Sequence, residues 1–182
     1  TVITNLKAAG AVLLGKLNMT EFATTALSHQ FDPPRNPWDL DRSTGGSSSG
    51  SGAATAAFLC GSALGEDTGG SVRLPAAWCG LAGIRPTYGR VSRYGVMPGV
   101  RSMDTVGPLA RTVADCAMTL ASIAGRDPKD KMSSTEPVPD YQAALTGEIK
   151  GLKIGIIKEM LYADVVEEEI RQSVLDAVAT LK

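Results

Sequence analysis

Two glycine-rich turns carry the residues whose types and spacing could do chemistry. The first runs Ser43-Thr44-Gly45-Gly46-Ser47-Ser48-Ser49-Gly50-Ser51-Gly52, and the second Asp67-Thr68-Gly69-Gly70-Ser71, followed by Arg73 and Pro75. Each presents a serine directly after a Gly-Gly pair. Glycine lets backbone N–H groups come close to a ligand and accepts φ > 0 at low cost. Two such turns brought together would supply a nucleophilic hydroxyl, a second hydroxyl and a set of oxyanion donors.

Other readings of these turns fit less well. A flexible Gly/Ser linker would not lead straight into Ala53-Ala54-Thr55-Ala56-Ala57-Phe58, which has the composition of a core. A phosphate-binding loop needs a lysine beside its closing Ser or Thr, but Gly50-Ser51-Gly52 is followed by Ala53 and no lysine occurs from Leu17 to Pro128. Gly46-Ser47-Ser48-Ser49-Gly50 formally fits GxSxG. That nucleophile elbow should follow a strand and precede its histidine, whereas Asp39-Leu40-Asp41-Arg42-Ser43 does not read as a strand and the sole histidine is His29. No lysine follows a serine at Ser-x-x-Lys spacing. What remains is a serine activated without histidine, for which a lysine of lowered pKa is the known solution.

Composition sets the class. The chain has 182 residues, 43% of them hydrophobic, with 18 basic and 19 acidic side chains and a net charge of −1. It is long enough for a globular core. The charge balance speaks against a nucleic-acid or anionic-membrane surface, and no apolar run reaches membrane-spanning length. Three cysteines, Cys60, Cys79 and Cys116, stand in apolar contexts without CxxC spacing. This suits a reducing compartment, hence a cytoplasmic protein, and His29 has no cysteine at zinc-ligand spacing. The chain opens at Thr1-Val2-Ile3 and closes at Thr180-Leu181-Lys182 inside helical patterns, so it reads as a piece of a longer protein.

The elements that must position the turns follow from periodicity. Val2 to Ala9 predicts a short helix ended by Gly10, and Ala11 to Lys16 a buried strand. Asn18 or Thr20 can cap a short helix through Phe22 and Ala23. His29 to Arg42, with Pro33, Pro34 and Pro37, reads as irregular and extended. Ser51 to Cys60 predicts a small-residue helix, Ser62 to Gly65 a strand, Leu74 to Trp78 a helical turn and Leu81 to Arg85 a strand stopped by Pro86. Tyr88 to Gly95 reads as turns with one extended piece. Thr112 or Asp104 can start the helix carrying Val113, Cys116, Ala117, Leu120 and Ile123, ended by Gly125. Arg126 to Pro139 reads as a surface excursion or hinge, Tyr141 to Leu145 as a helical turn, and Leu152 to Ile157 as the clearest strand. Val165 to Leu181 is the clearest amphipathic helix, with Glu167, Glu168 and Glu169 in its first turns. Alternating helices and short strands imply an α/β layered fold.

Three blocks resemble the amidase signature family: Gly45 to Gly52, Leu64 to Pro75, and the continuation Ala76 to Arg90. The flanks Gly15 to Phe22, Asn36-Pro37-Trp38-Asp39, Asp104 to Asp115 and Gly151 to Gly155 are similar to it as well. The resemblance implies a three-layer α/β/α fold with a central mixed sheet, of which residues 1–182 form the central part of one domain. It implies a Ser-cisSer-Lys mechanism. Ser71 takes the nucleophile position, and Ser47, in a cis peptide after Gly46, takes the relaying position. The backbone N–H groups of Thr68, Gly69, Gly70 and Ser71 take the oxyanion positions. Gly46, Ser48, Asp67 and Arg73 are supporting candidates, with a local ion pair the simpler reading of Asp67 and Arg73. The family's lysine falls upstream of Thr1, Lys16 belongs to a different block, and a C-terminal part of the family's fold has no counterpart here. No metal or cofactor is implied. The implied substrate is a small-molecule amide, hydrolysed through an acyl-serine, with no direct nucleic-acid contact and no membrane, and with homo-oligomers left open. Two alternatives stand beside it: the glutamine-hydrolysing component of an aminoacyl-tRNA amidotransferase, and a non-catalytic assembly fragment.

Overall fold

Helix α1 spans Val2–Ala8, and the chain leaves it through Gly10 at φ +85°, a left-handed conformation that glycine adopts without strain. This computed structural model describes residues 1–24 and 31–181; His29 lies outside the described residues. A 3-10 turn follows at Glu21–Ala23, preceded by Thr20, whose side chain makes no capping bond. The proline-rich stretch holds a two-stranded antiparallel hairpin, β1 (Arg35–Asn36) and β2 (Asp39–Ser43), where irregular chain is expected. Its anchor is Asn36, whose amide donates to the Ser43 and Trp78 carbonyls, together with Trp38, whose indole N–H donates to the Cys79 carbonyl at 2.8 Å.

Next come α2 (Ser49–Ala56), β3 (Ser62–Asp67), α3 (Arg73–Trp78), β4 (Ala82–Gly83), β5 (Thr105–Ala110) and α4 (Val113–Ile123). The expected helix from Ser51 therefore begins two residues earlier and stops before Cys60. β3 runs on past Gly65 to Asp67, and β4 is shorter than the expected Leu81–Arg85. Thr112 is the cap of α4, accepting from the Asp115 N–H. Asp104 is not a cap; it stands just before β5, a strand that the residue pattern did not announce.

The sheet order is β3-β5-β4, and both pairs are antiparallel. Every residue of β5 is buried, as befits the middle strand of a covered sheet. Side chains alternate across it. Val106 packs with Val2, Val91, Leu120 and Ile123, on the face covered by α1 and α4. Leu109 packs with Val72 and Ala76, on the face covered by α3. α2 joins α3 on that second face, because Gly65 opposes Gly107 in register and an added Cβ at Gly65 would meet Ser48 and Val72. The result is a helix–sheet–helix sandwich, which is the expected α/β class.

Two expected strands are absent. Ala11–Lys16 and Leu152–Ile157 are apolar enough, but neither pairs with a described strand, and Val12 is 84% exposed and Ile157 63%. A strand exists through its ladder, and an apolar run without a neighbour has none. The stretch from Arg126 to Pro139 is not a hinge either. Asp127 and Ser133 are buried, the Ser133 hydroxyl accepts from the Asp127 N–H, and Arg90 donates to the Glu136 and Pro137 carbonyls. The chain divides further on, into compact units Thr1–Thr146 and Gly147–Lys182. The second unit contains α5 (Lys158–Leu161) and α6 (Glu168–Thr180). Within it Arg171 pairs with Glu168, donates to the Leu161 and Val166 carbonyls and lies over the Tyr162 ring. Among the described residues no helix is long and apolar enough to cross a membrane.

Leu109 is fully buried at the meeting of β5 with α3. Leu109→Ala is expected to cost about 2–5 kcal/mol of folding free energy, whereas Val113→Ala, on the exposed side of α4, should stay within about 0.5 kcal/mol. Denaturant titration of both variants checks the contrast.

Candidate functional site

The second glycine turn is organised by a buried carboxylate. Asp67 ends β3 with no exposed surface. Its Oδ1 accepts the Gly70 N–H at 2.7 Å, and its Oδ2 accepts those of Val72 and Arg73 at 3.2 and 3.3 Å. The Arg73 guanidinium closes a fork onto both oxygens, 3.0 Å each, and Arg85 Nε stands 3.4 Å from Oδ1. Burial pushes the Asp67 carboxyl up, but Arg73 and the Val72 and Gly70 amides outweigh it, so it stays ionised below its ordinary range. Ser71 thus sits within a loop whose preceding and following amides are clamped to one carboxylate. The ion pair expected of Asp67 and Arg73 is present, and it belongs to a larger clamp. One expectation changes here. The Gly70 amide, expected as an oxyanion donor, instead donates to Asp67.

The first glycine turn is threaded against the second. The Ser48 N–H donates to the Ser71 carbonyl at 3.1 Å. The Ser48 hydroxyl accepts the Glu66 N–H and donates to the Glu66 carbonyl, so Ser48 stitches α2 to β3. The Ser51 hydroxyl adds a bond to the Leu64 carbonyl at 2.7 Å. Close approach requires glycine at Gly52, where a Cβ would stand 2.8 Å from the Pro75 ring. On the other side, the Thr20 N–H donates to the Ser47 carbonyl and the Gly50 N–H to the Asn18 carbonyl. The Gly46–Ser47 peptide is cis.

These contacts open one cleft of about 810 Å³ lined by Thr20, Gly45, Gly46, Ser47, Ser49 and Ser71, with the hairpin residues Asp41 to Ser43 and Leu74 and Trp78 on its walls. The hydroxyls of Thr20, Ser47 and Ser49 are buried and make no hydrogen bond among the described residues. A buried hydroxyl left unmatched is costly and so marks a place where a ligand or a reacting group belongs. Sequence reasoning placed Ser47 and Ser71 in one site; it treated Thr20 only as a cap and passed over Ser49. Among the described residues no lysine lines this cleft. The cysteines lie elsewhere: burial raises the Cys79 thiol and pushes Cys116 up to about 11, which keeps both protonated and inert. Among the described residues no group of three or more His, Cys, Asp or Glu could hold a metal ion.

Behind β3 the charges are arranged differently. Glu66 projects to the opposite side from Asp67, and its carboxyl is pushed up to about 7 by burial and by the nearby Asp104 charge, with Arg93 opposing. An acid whose folded pKa is raised stabilises the fold below its unfolded value near 4.5, and that contribution is lost as pH rises through about 7. Glu66→Gln should therefore raise the melting temperature relative to the parent at pH 8–9, with the gain shrinking as pH falls below about 7 and absent at pH 4 and below. Thermal melts across that range test the sign.

The chain matches the family model Amidase over residues 1–182. It is 52% identical over its whole length to the A component of the glutamyl-tRNA(Gln) amidotransferase of Roseiflexus sp. and 54% identical to that of Geobacillus kaustophilus, spanning 38% of the length of each. Among solved structures it is similar to the inhibitor-bound form of a vestigial complex related to the origins of an s-triazine catabolic enzyme. There the TM-score is 0.89 at 42% identity, with 99% of this chain and 40% of that one covered. Peptide amidase of Stenotrophomonas maltophilia superposes with TM-score 0.70 at 42% identity, over 78% of this chain and 31% of that one. With a match to the family model from its first residue to its last, and with these neighbours, the chain belongs to the amidase signature family.

Proposed function

We propose that this chain carries the nucleophile-bearing part of an enzyme that hydrolyses carboxylic amide C–N bonds through an acyl-serine. The observation that carries this reading is the union of the two glycine turns in one cleft, Ser48 N–H to Ser71 carbonyl, with the Ser47 hydroxyl buried beside them and free to bond. In this reading the Ser71 Oγ attacks the amide carbonyl and its proton passes through the Ser47 hydroxyl towards a base. The charge that develops on the carbonyl oxygen meets the N–H groups of Thr68, Gly69 and Ser71. The tetrahedral centre collapses as the C–N bond breaks, and the departing amine takes the proton. Water then adds to the acyl-serine, giving the carboxylic acid and free Ser71. The base implied by the family resemblance is a lysine, and none of the described cleft residues is one.

A second reading keeps the same site and changes the fate of the amine. The amidotransferase components of Roseiflexus and Geobacillus are 52% and 54% identical to this chain, against 42% for the peptide amidase. That difference favours an assembly in which ammonia from an amide donor is handed to an acceptor by partner proteins. Hydrolysis of simple amides by the intact protein alone supports the first reading; turnover that appears only with co-purified partners and an aminoacyl-tRNA acceptor supports the second. Both readings expect a soluble protein of the cytoplasm without a cofactor.

Two experiments test the chemistry common to both. A fluorophosphonate probe should label Ser71 in the intact protein, and Ser71→Ala should lower kcat by roughly 10⁴–10⁶; mass-spectrometric labelling at Ser48 instead would overturn the assignment. Ser47→Ala should lower kcat by about 10²–10⁴, the worth of a positioned proton-transfer group, while the circular dichroism spectrum stays that of the parent. A Ser47→Ala variant with parental kcat would remove Ser47 from the proton path.

A further inference from the structure

A third acid stands behind the nucleophile turn, outside the Ser47–Ser71 cleft. Asp104 is 1% exposed, in the segment that leads into β5. Its Oδ1 accepts the Thr68 hydroxyl at 2.6 Å, and its two oxygens accept the N–H groups of Gly99 and Val100 at 2.8–3.0 Å. Next to it, Thr105 donates its hydroxyl to the Asp67 carbonyl at 3.1 Å. Asp104, just before β5, and Thr105, its first residue, therefore grip the two positions before Gly69. Asp67 holds the far side of the same turn through Gly70, Val72 and Arg73. The Asp67–Thr68 peptide is thus fixed from behind, by groups that stand outside the cleft.

We propose that Asp104 is a positioning residue: by holding the Thr68 hydroxyl it sets the orientation of the peptide whose N–H the proposed function assigns to the developing oxyanion. This rests on the reading of Ser71 as nucleophile. Two features separate this role from simple loop anchoring. The Thr68 bond is short and runs to a carboxylate, the kind of bond that fixes geometry most tightly. It also reaches a residue inside the turn rather than one on its flanks. The carboxylate is itself immobile, because the Gly99 and Val100 amides occupy its remaining lone pairs. The cavity on this side, of about 740 Å³, is lined by Glu66 and Asp104 and by Arg93, Arg101 and Lys129. Arg93 is fixed there, donating to the Arg101 carbonyl and the Tyr88 hydroxyl and lying over the Tyr88 ring. Neither Ser47 nor Ser71 lines this cavity, so any effect of Asp104 on turnover must pass through the turn.

The test is a double-mutant cycle in the intact protein. Asp104→Asn keeps the shape and removes the charge that strengthens the bond, and Thr68→Val removes the same bond from its other end. Each is expected to lower kcat about 10²-fold, the scale of a small misplacement at a reacting centre, with KM moved less than about threefold. The double variant should be no slower than the slower single one, since both changes break one bond. Rates are expressed per site labelled by fluorophosphonate, so a variant that merely folds less well shows fewer sites at the parental rate. Parental kcat per labelled site in both single variants, or losses that multiply in the double, would overturn the proposal while leaving Ser71 as nucleophile. Turnover retained by Ser71→Ala would instead overturn both.

Discussion

A carboxylate without solvent must find every hydrogen bond inside the protein, and Asp67 finds its bonds in the turn that presents Ser71. Three backbone amides and a guanidinium converge on two oxygens. Removing the carboxylate would strand three amides and leave Arg73 and Arg85 without their shared counter-ion. Removing Arg73 would leave a buried charge short of its main partner. Neither half is tolerable without the other, which is how a loop of glycines acquires one conformation. The glycines supply freedom, and the carboxylate takes that freedom away around Ser71.

The rest of the first unit reads as support for this clamp. β3 delivers Asp67, and β5 holds β3 along six residue pairs from Ser62–Ala110 to Asp67–Thr105. Small residues make the layers thin. Gly65 admits Ser48, Gly83 admits Ala76, and Gly52 admits the Pro75 ring, each at a distance that no Cβ could share. α2, built from Ser, Gly, Ala and Thr, therefore approaches the sheet by its backbone, and serines at its start bond to the carbonyls of β3. Such packing buries little apolar area per residue, so its stability depends on the matched hydroxyls and on the larger side chains of β5 and α4 behind it.

Much of this was legible in the residues, and what was not has physical causes. The helices at Val113–Ile123 and Glu168–Thr180 carry a 3.6-residue apolar period, which belongs to the segment itself and needs no partner to be seen. The two serine turns announce themselves by Gly-Gly-Ser. β5 escaped notice because Thr105-Val106-Gly107-Pro108-Leu109-Ala110 contains a glycine and a proline, and both are usually kept out of central strands. Here Gly107 is required, since any Cβ would collide with the Ile84 carbonyl, and Pro108 offers only its carbonyl, which accepts from the Ile84 N–H. The opposite error fell on Ala11–Lys16 and Leu152–Ile157. Their composition is that of strands, but pairing is a property of two segments, and composition describes one. Thr20, Ser49 and Asp104 were missed for a related reason: each gains its meaning from residues far along the chain.

Neighbouring acids on β3 show how a strand can divide labour. Glu66 and Asp67 are adjacent in sequence, and the alternation of side chains sends them to opposite sides of the sheet. Asp67 meets guanidinium groups and backbone amides, and its charge is kept. Glu66 meets burial and the charge of Asp104, and its proton is held to about pH 7. One carboxyl, in its charged form, thus anchors the turn that carries Ser71, and the other is pushed up to about 7. Their surroundings differ although their positions along the chain do not, because an ionisation equilibrium responds to what lies within a few ångströms through space. Ser48, whose N–H donates to the Ser71 carbonyl, also bonds through its hydroxyl to the N–H and carbonyl of Glu66.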